Sequence, residues 1–477
     1  MCGIVGFIGQ EAIVYDLLMG LSALQHRGQD AAGAITFEGM FHTKKGLGLV
    51  SDVFEQKHLQ RLRGNVGIGH VRYTTHGTNV VENAQPISTN YPFGIAMAHN
   101  GNVTNFTELS RRLYEEYHVL PTTTNDLELI LYTLTAELRK HDLAHIGTKE
   151  IFSAVAETQQ KVEGAYSAVA IIAHRGLLAF CDPHGIRPLV IGKKTIDGKT
   201  THAVASETVC FDLLGYEVVR DMQAGEVLFI DTDGTLHSSQ LAPAEKTAFC
   251  VFEYIYFARE DSTIHGRLVA GQRVKMGRRL AEKMREQNLQ PDIIIDVPNS
   301  GYFAASGLSE ALGIPHKRGL VKNNYIGRSF IAPTQAEREA VVRRKLNPIR
   351  KTIAGRKIAV VDDSIVRGTT SRRIVQSLRE AGAKEVYFIS AAPPIISPCI
   401  YGIDMSETTQ LIASTRTHEE IRQFIGADAL VYQTVEDLQH IFDEFLPTCM
   451  ACLTAHYPTK NAAQTIAAVE QMRAEKV

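Results

Sequence analysis

The chain has 477 residues, 44% of them apolar and 21% charged, with 50 basic against 52 acidic side chains and a formal net charge of −2. This near-neutral balance excludes a global electrostatic case for nucleic acid or a membrane surface. The length predicts two to four domains. No run of about eighteen apolar residues is present to span a bilayer. The seven cysteines are an odd number, and the N-terminus shows no basic-flanked apolar leader. Both points argue against a disulfide framework and predict a soluble protein of a reducing, cytoplasmic setting.

From the N-terminus, short β-type runs alternate with Gly, Asn and Asp breaks. Examples are Gly33–Phe37, Val66–Val71, Ser167–Ile172 and Glu226–Ile230, the last leading into an Asp233-Gly234 turn. A helix is predicted from Asp126 to about Lys140, with Leu127, Ile130, Leu131 and Leu134 on one face. Sheets flanked by helices, an α+β arrangement, fit residues 2–238. The segment Gln240–Thr247 reads as a connector. Beyond it, over residues 248–477, the texture becomes α/β. Strands are predicted at Ile293–Val297, Lys357–Val361 and Val386–Ile389, with a helix between the last two that carries Ile374, Leu378 and Ala381 and stops at Gly382. That alternation predicts a doubly wound parallel sheet, followed by a C-terminal helical segment.

Removal of Met1 would make Cys2 the first residue and set its thiol beside an α-amino group with an unperturbed pKa of about 8. One residue would then supply nucleophile and general base. Met-Cys alone is equally what an incidental cysteine near a start looks like. Further blocks accompany it: Cys2–Gly6, Leu24–Asp30, Gly69–Gly77, His99–Asn102 and Asn125-Asp126. In this order and spacing they resemble the class II glutamine amidotransferases, whose glutaminase domain is an N-terminal-nucleophile hydrolase of αββα sandwich fold. The resemblance implies that Arg72 holds the α-carboxylate of glutamine through a bidentate fork and that Asp126 pairs with its α-ammonium. Asn100 and the Gly101 N–H would form the oxyanion hole, and Arg27 would support the nucleophile. Taken singly, Arg72 also reads as a surface arginine and Asn100-Gly101 as a type I′ turn.

The segment Val360–Thr370 ends a buried strand in Asp362 and Asp363. A short loop through Ser364, Arg367, Gly368, Thr369 and Thr370 then opens a helix. Its N–H groups, hydroxyls and helix N-terminus can cradle a phosphate dianion. The two carboxylates can accept from sugar hydroxyls or help anchor Mg²⁺. A helix capped by Ser364 or Thr369 explains one hydroxyl but not the paired acids. The motif resembles the type I phosphoribosyltransferases, which implies ribose contacts from Asp362 and Asp363 and a 5′-phosphate grip from Ser364 to Thr370. By the same resemblance Asn299, Ser300 and Gly301 form the pyrophosphate loop, and Ser300 joins Asp362 and Asp363 as the Mg²⁺ set. Asn299 stands where Asp is usual; weaker repulsion of pyrophosphate and altered metal handling both remain open. The cation-rich stretch from Lys322 to Asn347 is a solvated surface on the plain reading. The resemblance instead implies a loop that closes over substrate, with Lys322, Arg328 and Lys345 reaching pyrophosphate.

The two resemblances in one chain imply the purine-pathway amidotransferases. Glutamine and phosphoribosyl pyrophosphate would be the substrates, and 5-phosphoribosylamine, glutamate and pyrophosphate the products. A homotetramer inhibited by purine nucleotides is the corresponding family expectation, with no nucleic-acid or membrane partner. Cys250, Cys399, Cys449 and Cys452 match the subgroup that holds a [4Fe–4S] cluster on four thiolates. Zinc fits the same donor set by chemistry alone, and unligated buried thiols are a third reading. Two rivals define what else the sequence would have to show. A non-catalytic phosphoribosyl-pyrophosphate-binding regulator predicts a lost Cys2 or degraded oxyanion residues. A hexosamine synthase predicts isomerase segments in place of Val361–Ser364.

Overall fold

The computed structural model describes residues 1–74, 79–241, 246–323, 346–405, 407–442 and 445–467. The first half contributes strands β1 (Gly3–Ile8), β2 (Ala31–Glu38), β3 (Met40–Leu47), β4 (Val66–Arg72), β5 (Ile87–Thr89), β6 (Ile95–Val103), β7 (Gly164–Ile172), β8 (Gly176–Cys181), β9 (Val190–Ile196), β10 (Lys199–Ala205), β11 (Glu217–Asp221), β12 (Glu226–Asp231) and β13 (Leu236–Gln240). They form two sheets, in the orders β11-β9-β10-β1-β4-β2-β3 and β13-β12-β8-β7-β6-β5. The sheets pack face to face through Ile4, Ile35 and Ile68 of the first and Ala98, Val169, Ile171 and Leu228 of the second. Helices Val14–Ala23 and Val209–Leu214 cover the outer face of the first sheet. Helices Phe106–Tyr117, Leu127–Leu138 and Thr148–Lys161 cover the second. The result is the expected αββα sandwich.

Strand β7 shows why the central runs are unbroken in apolarity. Ala168, Ala170 and Ile172 face the helical layer, whereas Val169 and Ile171 face the other sheet. Both faces are buried, so alternation of polar and apolar residues is lost.

In the second half four parallel strands run in the order Ile293–Asp296, Lys357–Asp362, Glu385–Ser390 and Ala429–Tyr432. Alternate residues face opposite layers. Ile293, Ile358, Val360 and Phe388 pack toward Ile374 and Ile421, and Ile294, Ala359, Val361 and Ile389 pack toward Leu280 and Leu308. This is the doubly wound arrangement, with a fourth strand that the sequence pattern did not reveal. Helices Val269–Glu286 and Tyr302–Leu312 approach unusually closely on one face. A Cβ on Gly277 would lie 1.9 Å from the Ala304 carbonyl oxygen, and one on Gly307 2.0 Å from that of Val274.

A separate apolar cluster joins the halves. Met1, Ala165 and Ile186 meet Phe249–Ile255 and residues of Ile395–Met405, together with Leu438 to Leu453. No helix among the described residues is long and apolar enough to cross a membrane.

Candidate functional site

Two clusters of chemistry emerge, one at each half's strand ends. In the first, Gly3 pairs with Val71 in the β1–β4 ladder, which carries Cys2 alongside Arg72. The Cys2 backbone N–H donates to Asn100 Oδ1 at 3.0 Å. Its thiol lies 3.8 Å from the Tyr73 carbonyl oxygen. Asn100 is completely buried, and its Nδ2 has no hydrogen-bond partner among the described residues. A buried amide N–H₂ left without an acceptor is costly unless a ligand completes it.

Asn100 and Gly101 lie within β6, paired to Ser167 and Tyr166, so the turn reading is excluded. Gly101 has φ +151°, and a Cβ there would meet the Ala165 carbonyl oxygen at 1.8 Å. Arg72 is 4% exposed, which excludes the surface reading. Burial pulls its pKa down, while Cys2, Asp126 and Asp30 act in the opposite sense. These groups are therefore within electrostatic reach of one another. The Asp126 carboxylate accepts from Val103 N at 2.9 Å and His99 Nε2 at 3.3 Å, at the start of helix Leu127–Leu138.

Arg27 lies beneath the nucleophile. Its Nε donates to the Cys2 carbonyl at 2.9 Å, and its terminal nitrogens reach Glu207 at 2.5 Å and Glu253 at 2.8 and 2.9 Å. Sequence reasoning gave Arg27 a supporting role but assigned none to Glu207 or Glu253. Burial pushes the Glu207 carboxyl up, but His26 and Arg27 outweigh it and hold the carboxyl well below its usual range. The second half also touches the Asn100–Asn102 segment directly. Asn102 Nδ2 donates to the Ile400 carbonyl at 2.8 Å, and a Cβ on Gly402 would lie 3.0 Å from the Gly101 oxygen. Tyr73 and Asp404 meet at 3.4 Å. Tyr73, Gly101 and Asn102 lie inside the motif blocks, which identify residues without pairing them; their partners in the second half lie outside those blocks.

In the second cluster, Asp362 ends its strand buried, with Asp363 half-buried beside it. Burial first, and Asp363 second, push the Asp362 carboxyl well above its ordinary value. Ser364 Oγ donates to Asp363 Oδ2 at 2.5 Å. Gly368, at φ +73°, occupies the position before helix Thr369–Glu380 without a side-chain cap. The simple capped-helix reading thus fails at both proposed caps. Arg367 leans outward to Gln410 at 2.7 Å.

The Asn299–Gly301 loop is docked on the same strand. Val297 N donates to the Val361 carbonyl at 2.9 Å, and a Cβ on Gly301 would come within 2.2 Å of that oxygen. Asn299, Ser300 and Gly301 are thereby brought next to the Asp362–Thr370 loop. Lys322 is exposed at the end of strand Leu320–Lys322, while Arg328 and Lys345 lie outside the described residues.

The four cysteines also converge. Cys250 and Cys449 face each other in a short parallel ladder, and all four are buried in the junction cluster. Burial, followed by Arg187 acting oppositely and by Glu253 and Cys399, leaves the Cys250 thiol pushed up to about 11. Burial and then Cys399, Cys449 and Cys250 raise Cys452. Among the described residues, however, no three His, Cys, Asp or Glu side chains are grouped so as to hold a metal ion.

Comparison with known proteins finds a counterpart for each half of the chain. Residues 70–212 match a glutamine amidotransferase domain, and residues 268–393 a phosphoribosyl transferase domain. The amidophosphoribosyltransferase of Escherichia coli is 47% identical over 443 residues, covering 92% of this chain and 88% of that one. That of Methanothermobacter thermautotrophicus is 44% identical over 466 residues, covering 96% and 94%. The solved glutamine phosphoribosylpyrophosphate amidotransferase of Bacillus subtilis, complexed with ADP and GMP, superposes with a TM-score of 0.86 at 40% identity, covering 96% and 98%. With both domains present and likeness running almost end to end, the chain belongs to the amidophosphoribosyltransferases, the enzymes of the first step of purine biosynthesis.

Proposed function

We propose the following division of labour among residues. Once Met1 is removed, the Cys2 α-amine takes the thiol proton and the thiolate attacks the side-chain amide of glutamine. Asn100 holds the Cys2 nitrogen through Oδ1 and offers Nδ2, with the Gly101 N–H, to the developing oxyanion. Arg72 and Asp126 bind the α-carboxylate and α-ammonium. Ammonia leaves, and water hydrolyses the glutamyl thioester. The ammonia passes inside the protein and attacks C1 of phosphoribosyl pyrophosphate as pyrophosphate departs, giving 5-phosphoribosylamine. Enclosure keeps water from competing at that carbon.

The observation that carries this reading is the buried, unpartnered Asn100 Nδ2 beside Cys2. Ser364 to Thr370, with Arg367, would hold the 5′-phosphate. Asp362 and Asp363 would hold the ribose hydroxyls, and Asn299, Ser300, Gly301 and Lys322 the pyrophosphate. Arg328 and Lys345 complete that set by sequence alone. Asp362, Asp363 and Ser300 are suited to Mg²⁺, which uses few protein ligands alongside substrate phosphates and supplies charge neutralisation at pyrophosphate. The buried carboxyl of Asp362 beside a second acid supports a cation there.

For the four cysteines the donor set and their shared burial in the junction support a [4Fe–4S] cluster serving as a structural tie, although their side chains are not grouped as metal ligands among the described residues. Iron and acid-labile sulfide analysis against zinc content decides between the two groups. Purine nucleotide inhibition is a further element of the reading, supported by the ADP and GMP in the Bacillus subtilis complex; a homotetramer is proposed from the family resemblance alone.

The test is anaerobic assay of glutamate and pyrophosphate release with Mg²⁺. Matched release of both, lost in Cys2→Ala while free ammonia still drives pyrophosphate release, is the expected result. Undiminished glutamate release by Cys2→Ala, or none by a chain beginning at Cys2, sinks the assignment.

A further inference from the structure

Met1 precedes the proposed nucleophile, and the fold closes over it. The residue is 2% exposed and belongs to the apolar cluster between the halves. Among the described residues, the first half lends that cluster Met1, Ala165 and Ile186, and the remaining members come from the second half. The Arg187 guanidinium, itself buried and donating to the Tyr401 carbonyl at 3.0 Å, also donates to the Met1 sulfur. Burial, aided by Arg187 and Arg27, pushes the Met1 amino group down to about 6. Beyond the Met1–Cys2 peptide bond, Asn100 binds the Cys2 nitrogen at 3.0 Å and Arg27 the Cys2 carbonyl at 2.9 Å. An aminopeptidase must draw the first residue and its peptide bond into its own active site. Here both are enclosed, and the next residue is held at two points.

We infer that the residue before Cys2 is removable only before the second half docks onto the first, and that the folded protein is closed to aminopeptidase. The cluster in which Met1 is buried includes residues of Phe249–Ile255 and Ile395–Met405, which emerge about 250 to 400 residues after it. At about 5–20 residues per second of synthesis, the window for excision is roughly 12–80 s. A chain that misses this window folds with Met1 inside and has no α-amine on Cys2. The consequence for activity rests on the proposed role of Cys2, whereas the order of events rests on burial alone.

The full-length chain made in a reconstituted translation mixture containing deformylase, with or without methionine aminopeptidase, tests this order. The N-terminal mass reports Met1, and ammonia-dependent pyrophosphate release reports folding. Aminopeptidase present during synthesis is expected to yield chains starting at Cys2. The same enzyme, given the same time with the folded Met1-bearing protein, is expected to process at least tenfold less. Added while that protein is diluted out of urea, it is expected to regain processing. Efficient removal of Met1 from folded, ammonia-active protein overturns the inference. So does loss of ammonia-dependent activity in the Met1-bearing chain, because the fold then does not accommodate the residue. Glutaminase failure in chains that begin at Cys2 instead sinks the role of Cys2 and leaves the order standing.

Discussion

At the scale of single residues, the first cluster depends on which buried polar groups are paired within the protein. Asn100 spends its oxygen on the Cys2 nitrogen, and its buried Nδ2 has no acceptor among the described residues. In its proposed role as oxyanion donor, it acts on the transition state more than on bound glutamine. Asn100→Ala should therefore lower kcat for glutamine hydrolysis by about 10²–10³-fold with little change in KM. Steady-state kinetics of glutamate release, with ammonia-dependent turnover as the folding control, measures this. Arg27 is the opposite case, a guanidinium with 0% side-chain exposure shared between two carboxylates that are equally buried. Removing one partner strands the others, so Arg27→Met should cost about 3–5 kcal/mol. Denaturant unfolding checks that loss. A larger loss than in the double variant with Glu253→Gln would show that the stranded charge causes it.

At the scale of elements, glycine spacing decides how closely helices and loops pack. Helices Val269–Glu286 and Tyr302–Leu312 present Gly277 and Gly307 to each other's carbonyls, with no room for a methyl group. Gly307→Ala should force them apart at a cost of about 1–3 kcal/mol, lowering the melting midpoint by roughly 2–12 °C. Calorimetry tests it; an unchanged midpoint would show that the helix pair yields freely. The second of these helices follows the Asn299–Gly301 loop, so the same substitution is expected to raise KM for phosphoribosyl pyrophosphate. Strand ends matter for the same reason. Asp296 and Asp362 finish neighbouring parallel strands, which sets their loops side by side.

At the scale of the whole molecule, the junction binds the two chemistries into one structure. Glu207 of the first half bonds Arg27 and His26 and also accepts from Arg259 N and Ser262 Oγ of the second, at 2.9 and 2.6 Å. Its folded pKa is depressed from an ordinary value of 4.5. The stability it contributes is thus present above the unfolded value and is lost as pH falls through the folded one. Acid titration should loosen the junction below about pH 4.5, with Glu207→Gln already destabilised at neutral pH and flatter across that range. Unfolding midpoints collected from pH 7 downward test this, and a parallel pH profile in both proteins would refute it.

Much of the fold class and of the candidate site was legible in local sequence. Short, continuous apolar runs gave β7 and three of the parallel strands, the 3.6-residue period gave helix Leu127–Leu138, and strand–acid–Gly–Thr spacing gave the loop at Asp362 to Thr370. Each is a property of residues near one another in the chain, where side-chain periodicity and backbone preference act directly. The fourth parallel strand, only Ala429–Tyr432, was too short to stand out. The pairing of Arg27 with Glu253, 226 positions apart, the bond from Asn102 to Ile400, and the gathering of Met1 with Phe249–Ile255 in one buried cluster left no local pattern at all. Those contacts arise when two independently patterned halves desolvate a shared surface, and which buried charge then meets which is decided by packing. The sequence by itself determined the two chemistries and the layers that carry them; only the tertiary structure decided how one half reaches into the nucleophile of the other.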